Sequence, residues 1–212
     1  MAGGAQAEEE PSASDGAAPP PICIWYGAAF GGWMRLLARN RFAVARRYWP
    51  RALLVTWLSL MNSALGAIER LRFGRRVAAV EPQAPLFIIG HWRSGTTLLH
   101  EYLARDPRHC FPRTYDCFAP SHFLLTGDSG PARLNALLPD RRPMHAMALD
   151  AELPQEDDFA LALLGQPSLL VMIAFPNNLP GDGALFDLRS LPPRRRAAWR
   201  RCLKDFLRKI AY

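Results

Sequence analysis

Apolar positions along this chain fall into helical stripes separated by polar and proline-rich joints. The first twenty residues are rich in Ala, Gly, Glu, Ser and Pro with no large apolar side chain after Met1, so 1–20 reads as a disordered tail. The pattern changes at Ile22. Trp25, Tyr26, Phe30, Trp33, Met34, Leu36 and Leu37 predict a first amphipathic helix, with Arg35, Arg39 and Arg41 near its polar face. Pro50 suits the first turn of a second helix, which the spacing carries to about Arg72. Residues 52–68 of that helix carry no charge, which puts them at the lower edge of a bilayer's thickness. Thr56, Ser59, Asn62 and Ser63 interrupt the run, while Leu53, Trp57, Leu60, Met61, Ala64, Leu65 and Ile68 recur at helical spacing. The first expectation is a helix packed by that stripe on the following domain. Interfacial membrane contact through 22–76 is the second, because Arg46, Arg47, Arg70, Arg72, Arg75 and Arg76 flank the run. A true span is the third.

After this appendage (21–80) the period changes. Leu86 to Ile89 is a short apolar run, expected as a buried parallel strand, and 90–94 is a glycine-bounded loop. A helix follows from about Gly95 to Ala104, with Leu98, Leu99, Tyr102 and Leu103 on one side, and Asp106-Pro107 stops it. A loop-rich region with short helices reaches Asp150. Pro154 opens a further helix containing Phe159, Leu161, Leu163 and Leu164. Pro192-Pro193 opens the last, where Trp199, Leu203, Phe206, Leu207 and Ile210 form a stripe beside a basic face. There is no internal repeat.

Strand, tight loop and helix is an arrangement that cradles phosphate, because loop amides and the helix N-terminus converge on an anion. Gly90-x-x-x-x-Gly95-Thr96-Thr97 has almost the spacing of a Walker A loop. The departure is chemical. A nucleotide triphosphatase places Lys after the second glycine, whereas Thr96 stands there and the cation, Arg93, lies inside the loop. The loop therefore suits a phosphate-like group and is poorly suited to moving a γ-phosphate, which disfavours a small-molecule kinase.

Arg93-Ser94-Gly95-Thr96-Thr97 behind an apolar run resembles the 5′-phosphosulfate loop of sulfotransferases that use 3′-phosphoadenosine-5′-phosphosulfate (PAPS). The fuller string from Gly90 to His100 resembles a bacterial-type branch of that family, as do Phe111-Pro112 with Tyr115, Arg142-Pro143-Met144, and Pro154-Gln155-Glu156-Asp157. The resemblance implies an α/β fold of P-loop type, of which 81–212 would be the N-terminal part: one recognisable parallel strand, a phosphate loop and mostly helix. It implies cofactor contacts from His91, Arg93, Ser94, Gly95, Thr96 and Thr97, with Arg93 neutralising charge on the leaving side. It also implies sulfuryl transfer to a hydroxyl or amine of a small-molecule or glycan acceptor, with no metal required. The family's 3′-phosphate motif has no counterpart before Tyr212. The expectation is thus a truncated form of a longer enzyme, and the alternative is a non-catalytic truncated or interaction product.

Transfer to a hydroxyl needs a base. Related enzymes place a Glu about twenty residues after the loop, but that region here reads Arg113-Thr114-Tyr115-Asp116. Asp116 is one substitute. Glu156 or Asp157 is the other, although acids in a first helical turn also complement the helix dipole.

Composition adds limits. The 212 residues suffice for one domain with a core, and half are hydrophobic. Twenty-six Lys and Arg against 19 acids give +7, which favours an anionic ligand such as PAPS. The arginines are scattered in pairs and triplets with no nucleic-acid motif, so no nucleic-acid partner is expected. Cys23, Cys110, Cys117 and Cys202 form no Cys-x-x-Cys pair, and His109, Cys110, Cys117 and His122 fit no standard zinc spacing. No signal peptide is evident, so the expected setting is cytoplasmic, with membrane association through the appendage.

Overall fold

The computed structural model describes residues 23–91, 94–138, 149–178 and 188–212. Among them the chain forms short 3-10 turns and nine α-helices. These are α1 (Phe30–Arg39), α2 (Trp49–Ala78), α3 (Thr96–Leu103), α4 (Thr114–Phe118), α5 (Phe123–Thr126), α6 (Gly130–Asn135), α7 (Asp157–Leu163), α8 (Val171–Ala174) and α9 (Pro193–Ala211).

The expected α/β architecture is overturned: no strand forms among the described residues. A lone antiparallel bridge, Arg113 to Pro154, is the nearest approach to a sheet. Residues 86–89, expected as a buried parallel strand, are irregular backbone. Leu86 is 66% exposed and Ile89 92% exposed. The physical reason is pairing. A strand satisfies its backbone only through a hydrogen-bonded neighbour, and no described segment pairs with this one.

The helical expectations fare better. Trp33, Leu36 and Leu37 are buried, so α1 packs by the stripe read from the sequence. Its first amide donates to Ser63 Oγ of α2 at 2.9 Å, and Trp33 Nε1 donates to Thr56 Oγ1 at 2.9 Å. Asn40 ends the helix by donating from Nδ2 to the Leu36 carbonyl. Pro50 lies in the first turn of α2, where its missing N–H costs nothing. That helix runs six residues beyond the expected Arg72.

The face α2 buries is not the expected one. Val55, Ser59, Asn62, Gly66 and Glu69 point inward. Asn62 Nδ2 donates to the carbonyls of Tyr26 and Ala28, and Asn62 Oδ1 lies 3.2 Å from His122 Nε2. The apolar stripe of α2 faces outward.

Two apolar clusters result. One gathers Trp25, Trp33, Leu36, Leu37, Val55 and Leu163. The other gathers Tyr115, Cys117, Phe123, Ala160 and Phe206. Helix α7 contributes to both, through Leu163 and Ala160. Phe206 of α9 meets Phe123 edge to face at 6.0 Å, and a fully buried Phe is worth roughly 1.5–3 kcal/mol. The stem of α7 is fixed by two backbone hydrogen bonds flanking the bridge: Thr114 N to Leu153 O at 2.8 Å, and Gln155 N to Pro112 O at 2.9 Å. Pro154 and Gln155 are held in that bridge. Helix α7 therefore begins at Asp157, three residues after the proline expected to open it.

Candidate active site

The glycine-bounded loop carries two backbone features that its residue types require. Gly95 has φ +88°, a left-handed conformation that strains any residue with a Cβ, and it stands at the N-cap of α3. A Cβ on Gly90 would lie 2.6 Å from Thr96 Cγ2 and 2.8 Å from Ser94 Oγ, so the loop folds back on itself too tightly for a side chain there. Ser94 locks the turn, its hydroxyl donating to the His91 carbonyl at 2.6 Å. No side chain caps α3. Its first amides, at Thr96 and Thr97, have no intrahelical acceptor and carry the positive end of the helix dipole, and both residues line a cavity.

This loop forms one wall of a cavity of about 340 Å³. Gly90, His91, Thr96, Thr97 and His100 line it, with Leu86 to Ile88 before them in the chain. Pro154, Gln155, Glu156, Asp157 and Asp158, which end the bridge and begin α7, line it as well. Glu156 is exposed and occupies the N-cap position of α7, yet its carboxylate makes no cap hydrogen bond. Its place at the helix N-terminus also suits the dipole-complementing role open to an acid there. Burial raises the Asp157 carboxyl above its ordinary range, opposed by backbone amides of α7 and by His100. Burial also pushes Asp158 up to about 6, although Ser168 Oγ donates to it at 2.8 Å.

Asp116 sits elsewhere. It is buried at the third position of α4 and accepts from the Arg113 backbone amide at 2.9 Å, from Arg113 Nε at 3.0 Å and from Arg113 Nη2 at 2.9 Å. Arg113 bonds Glu152 as well, at 2.9 Å. These contacts hold the guanidinium firmly protonated, chiefly through Asp116. Asp116 thus ties α4 to the segment before α7 and does not line the cavity. Arg93 and the Arg142-Pro143-Met144 segment lie outside the described residues.

His100, Gln155 and Leu207 were not singled out as site residues, and all three line the cavity. His100 had a usable signal, lying four residues after Thr96 and so on the same helical face. Leu207 had none, because α9 reaches the site only through tertiary packing.

Residues 85–166, which contain the loop and the start of α7, match the sulfotransferase family. Over 190 residues the chain is 46% identical to the omega-hydroxy-beta-dihydromenaquinone-9 sulfotransferase Stf3 of Mycobacterium bovis, and equally to that of Mycobacterium tuberculosis. The alignment covers 89% of this chain and 49% of each relative, so the chain spans about half the length of the curated relatives it matches. No solved structure matches it. The loop built around Gly90 and Gly95 and the N-cap residue Glu156 both lie within the stretch that matches the sulfotransferase family, and over that stretch the chain is similar to it.

Proposed function

We propose that this chain provides the 5′-phosphosulfate side and the acceptor-activating side of a sulfotransferase that uses PAPS. The observation that carries the reading is the shared cavity, lined both by the loop residues Gly90, His91, Thr96 and Thr97 and by Glu156. The loop fits such a donor. Its amides are uncapped, its glycine at 90 leaves the concave surface bare, and it lacks the Walker lysine.

PAPS supplies a sulfuryl group whose bridging oxygen departs with the nucleotide phosphate. The amides of Ser94 to Thr97 and the Thr96 and Thr97 hydroxyls hold the 5′-phosphate. Arg93 offsets the charge that builds on the departing oxygen. Glu156 takes the proton from the acceptor hydroxyl as the new oxygen–sulfur bond forms. Asp157, partly desolvated beside it, and His100 across the cavity shape the field in which that proton moves. Positioning does most of the remaining work, since sulfuryl transfer resembles phosphoryl transfer.

By likeness to the mycobacterial relatives, the acceptor is a small molecule bearing a hydroxyl, of the hydroxylated menaquinone class. The same reading sets the protein in the cytoplasm with peripheral membrane contact through 22–76, where an apolar acceptor is within reach.

Isothermal titration of the chain with adenosine 3′,5′-bisphosphate and with ATP tests the donor assignment. The bisphosphate should bind more tightly, without magnesium. Tighter, magnesium-dependent ATP binding would overturn the assignment in favour of a kinase.

A further inference from the structure

Helix α2 is inside out. With 100° per residue, the buried positions Val55, Ser59, Asn62, Gly66 and Glu69 fall on one side, three of them polar or charged. The large apolar residues fall on the opposite side. Leu53 is 70% exposed, Trp57 60%, Leu60 54% and Leu71 88%, with Trp49 and Ile68 exposed between and beside them. These six positions span an arc of about 100°, the width of an apolar helix face. A helix of a water-soluble protein normally turns such a face inward.

The charge pattern shows what the face meets. Arg46 and Arg47 lie at one end of the stripe, and Arg70, Arg72, Arg75 and Arg76 at the other, all exposed. Between residues 41 and 80 the sole acid is Glu69, which is buried against Lys209 and offers nothing to the surface. Arg47 lies 4.7 Å over the Tyr48 ring and Arg72 lies 5.3 Å over Phe73, so cations and aromatics are paired at both ends. An apolar strip with cations at each end complements an anionic lipid surface: acyl chains under the strip, phosphates at the arginines.

The helix is long and apolar enough to cross a bilayer by composition. Its inner face argues against crossing. Ser63 accepts from the Phe30 amide, Asn62 donates to two carbonyls, and Glu69 accepts from the Leu125 amide and pairs with Lys209. A helix bonded to the protein along its inner side cannot be surrounded by lipid. We propose that α2 lies flat in the headgroup layer of an anionic membrane, apolar face down, as a monotopic docking surface. This deepens the peripheral membrane contact proposed above, and it does not depend on sulfuryl transfer.

Sedimentation of the full chain with phosphatidylcholine vesicles, with and without about a third phosphatidylglycerol, tests the proposal. Binding should require the anionic lipid and be released by high salt. It should fall at least tenfold in Leu53→Gln/Trp57→Gln and in Arg72→Gln/Arg75→Gln, with circular dichroism unchanged. If the first variant does not fold, quenching of tryptophan fluorescence by lipids brominated near the headgroup decides, with wild type compared against Trp57→Phe. A fall in the quenched fraction supports the proposal, and no change overturns it. Absence of vesicle binding overturns it, as does resistance to alkaline carbonate extraction, the mark of a span. Self-association lost in Leu53→Gln/Trp57→Gln without vesicle binding overturns it in favour of a second copy of the chain on this face.

Discussion

Lys209 of α9 places its ammonium 2.5 Å from the Glu69 carboxylate of α2, and both side chains are buried. The ammonium also donates to the Pro120 carbonyl at 2.7 Å and lies 4.2 Å over the Phe123 ring. Burial lowers the Lys209 pKa, and Glu69 opposes that shift. The pair therefore joins three elements, α2, α5 and α9, at one point. Removing one partner leaves the other charge buried and unmatched. Lys209→Met and Glu69→Gln should each cost about 3–5 kcal/mol in urea denaturation. The double variant should lose less than the sum of the two, and strictly additive losses would show that the contact does not couple the helices.

The two loop glycines should fail differently. Gly95 has open space around its Cβ position but a positive φ, so Gly95→Ala should cost roughly 1–2 kcal/mol of local strain. Gly95→Asn should recover part of that, since Asn tolerates this conformation. Gly90→Ala instead meets Thr96 and Ser94, so it should spoil the anion cradle and weaken adenosine 3′,5′-bisphosphate binding with little change in thermal midpoint. Equal binding by wild type and Gly90→Ala would mean that the fold-back is not needed for the ligand.

Asp158 gives a pH signature. Its carboxyl, pushed up to about 6 by burial, holds its proton more tightly in the folded chain than in the unfolded one, where about 4 is usual. The unfolded state therefore binds fewer protons between these values. Stability is highest below the unfolded pKa and falls as pH rises through about 4 to 6. Asp157, also raised by burial, adds to the same fall. Asp158→Asn should flatten part of the decline, read from urea midpoints across that window. A variant with the wild-type slope would place the proton uptake elsewhere.

Much of this was legible in the chain. Trp33, Leu36 and Leu37 marked the buried side of α1, Pro50 and Pro193 marked two helix starts, and Gly90 and Gly95 marked the loop. Other features depended on partners that spacing does not reveal. The run Leu86 to Ile89 has strand composition, but composition cannot supply the neighbour a strand needs. Periodicity found the apolar stripe of α2 without showing which way it turns, because the inward side is chosen by bonds from Asn62 to Tyr26 and from Glu69 to Lys209. Asp116 was one candidate acid, and Glu156 or Asp157 the other. They separate in place only when Arg113 is seen to take Asp116 and Glu156 is seen to line the cavity.

The central claim is that Glu156 and the loop act on one reaction across one cavity. Its most direct test is turnover of PAPS and a hydroxylated menaquinone acceptor by the whole protein carrying Glu156→Gln, beside Asp116→Asn. Removing the base should lower kcat about 10²–10⁴-fold while adenosine 3′,5′-bisphosphate affinity stays at the wild-type value. Asp116→Asn should lower stability and leave kcat per folded molecule near normal. Near-normal turnover in Glu156→Gln, or loss of turnover in Asp116→Asn at full stability, would contradict the account.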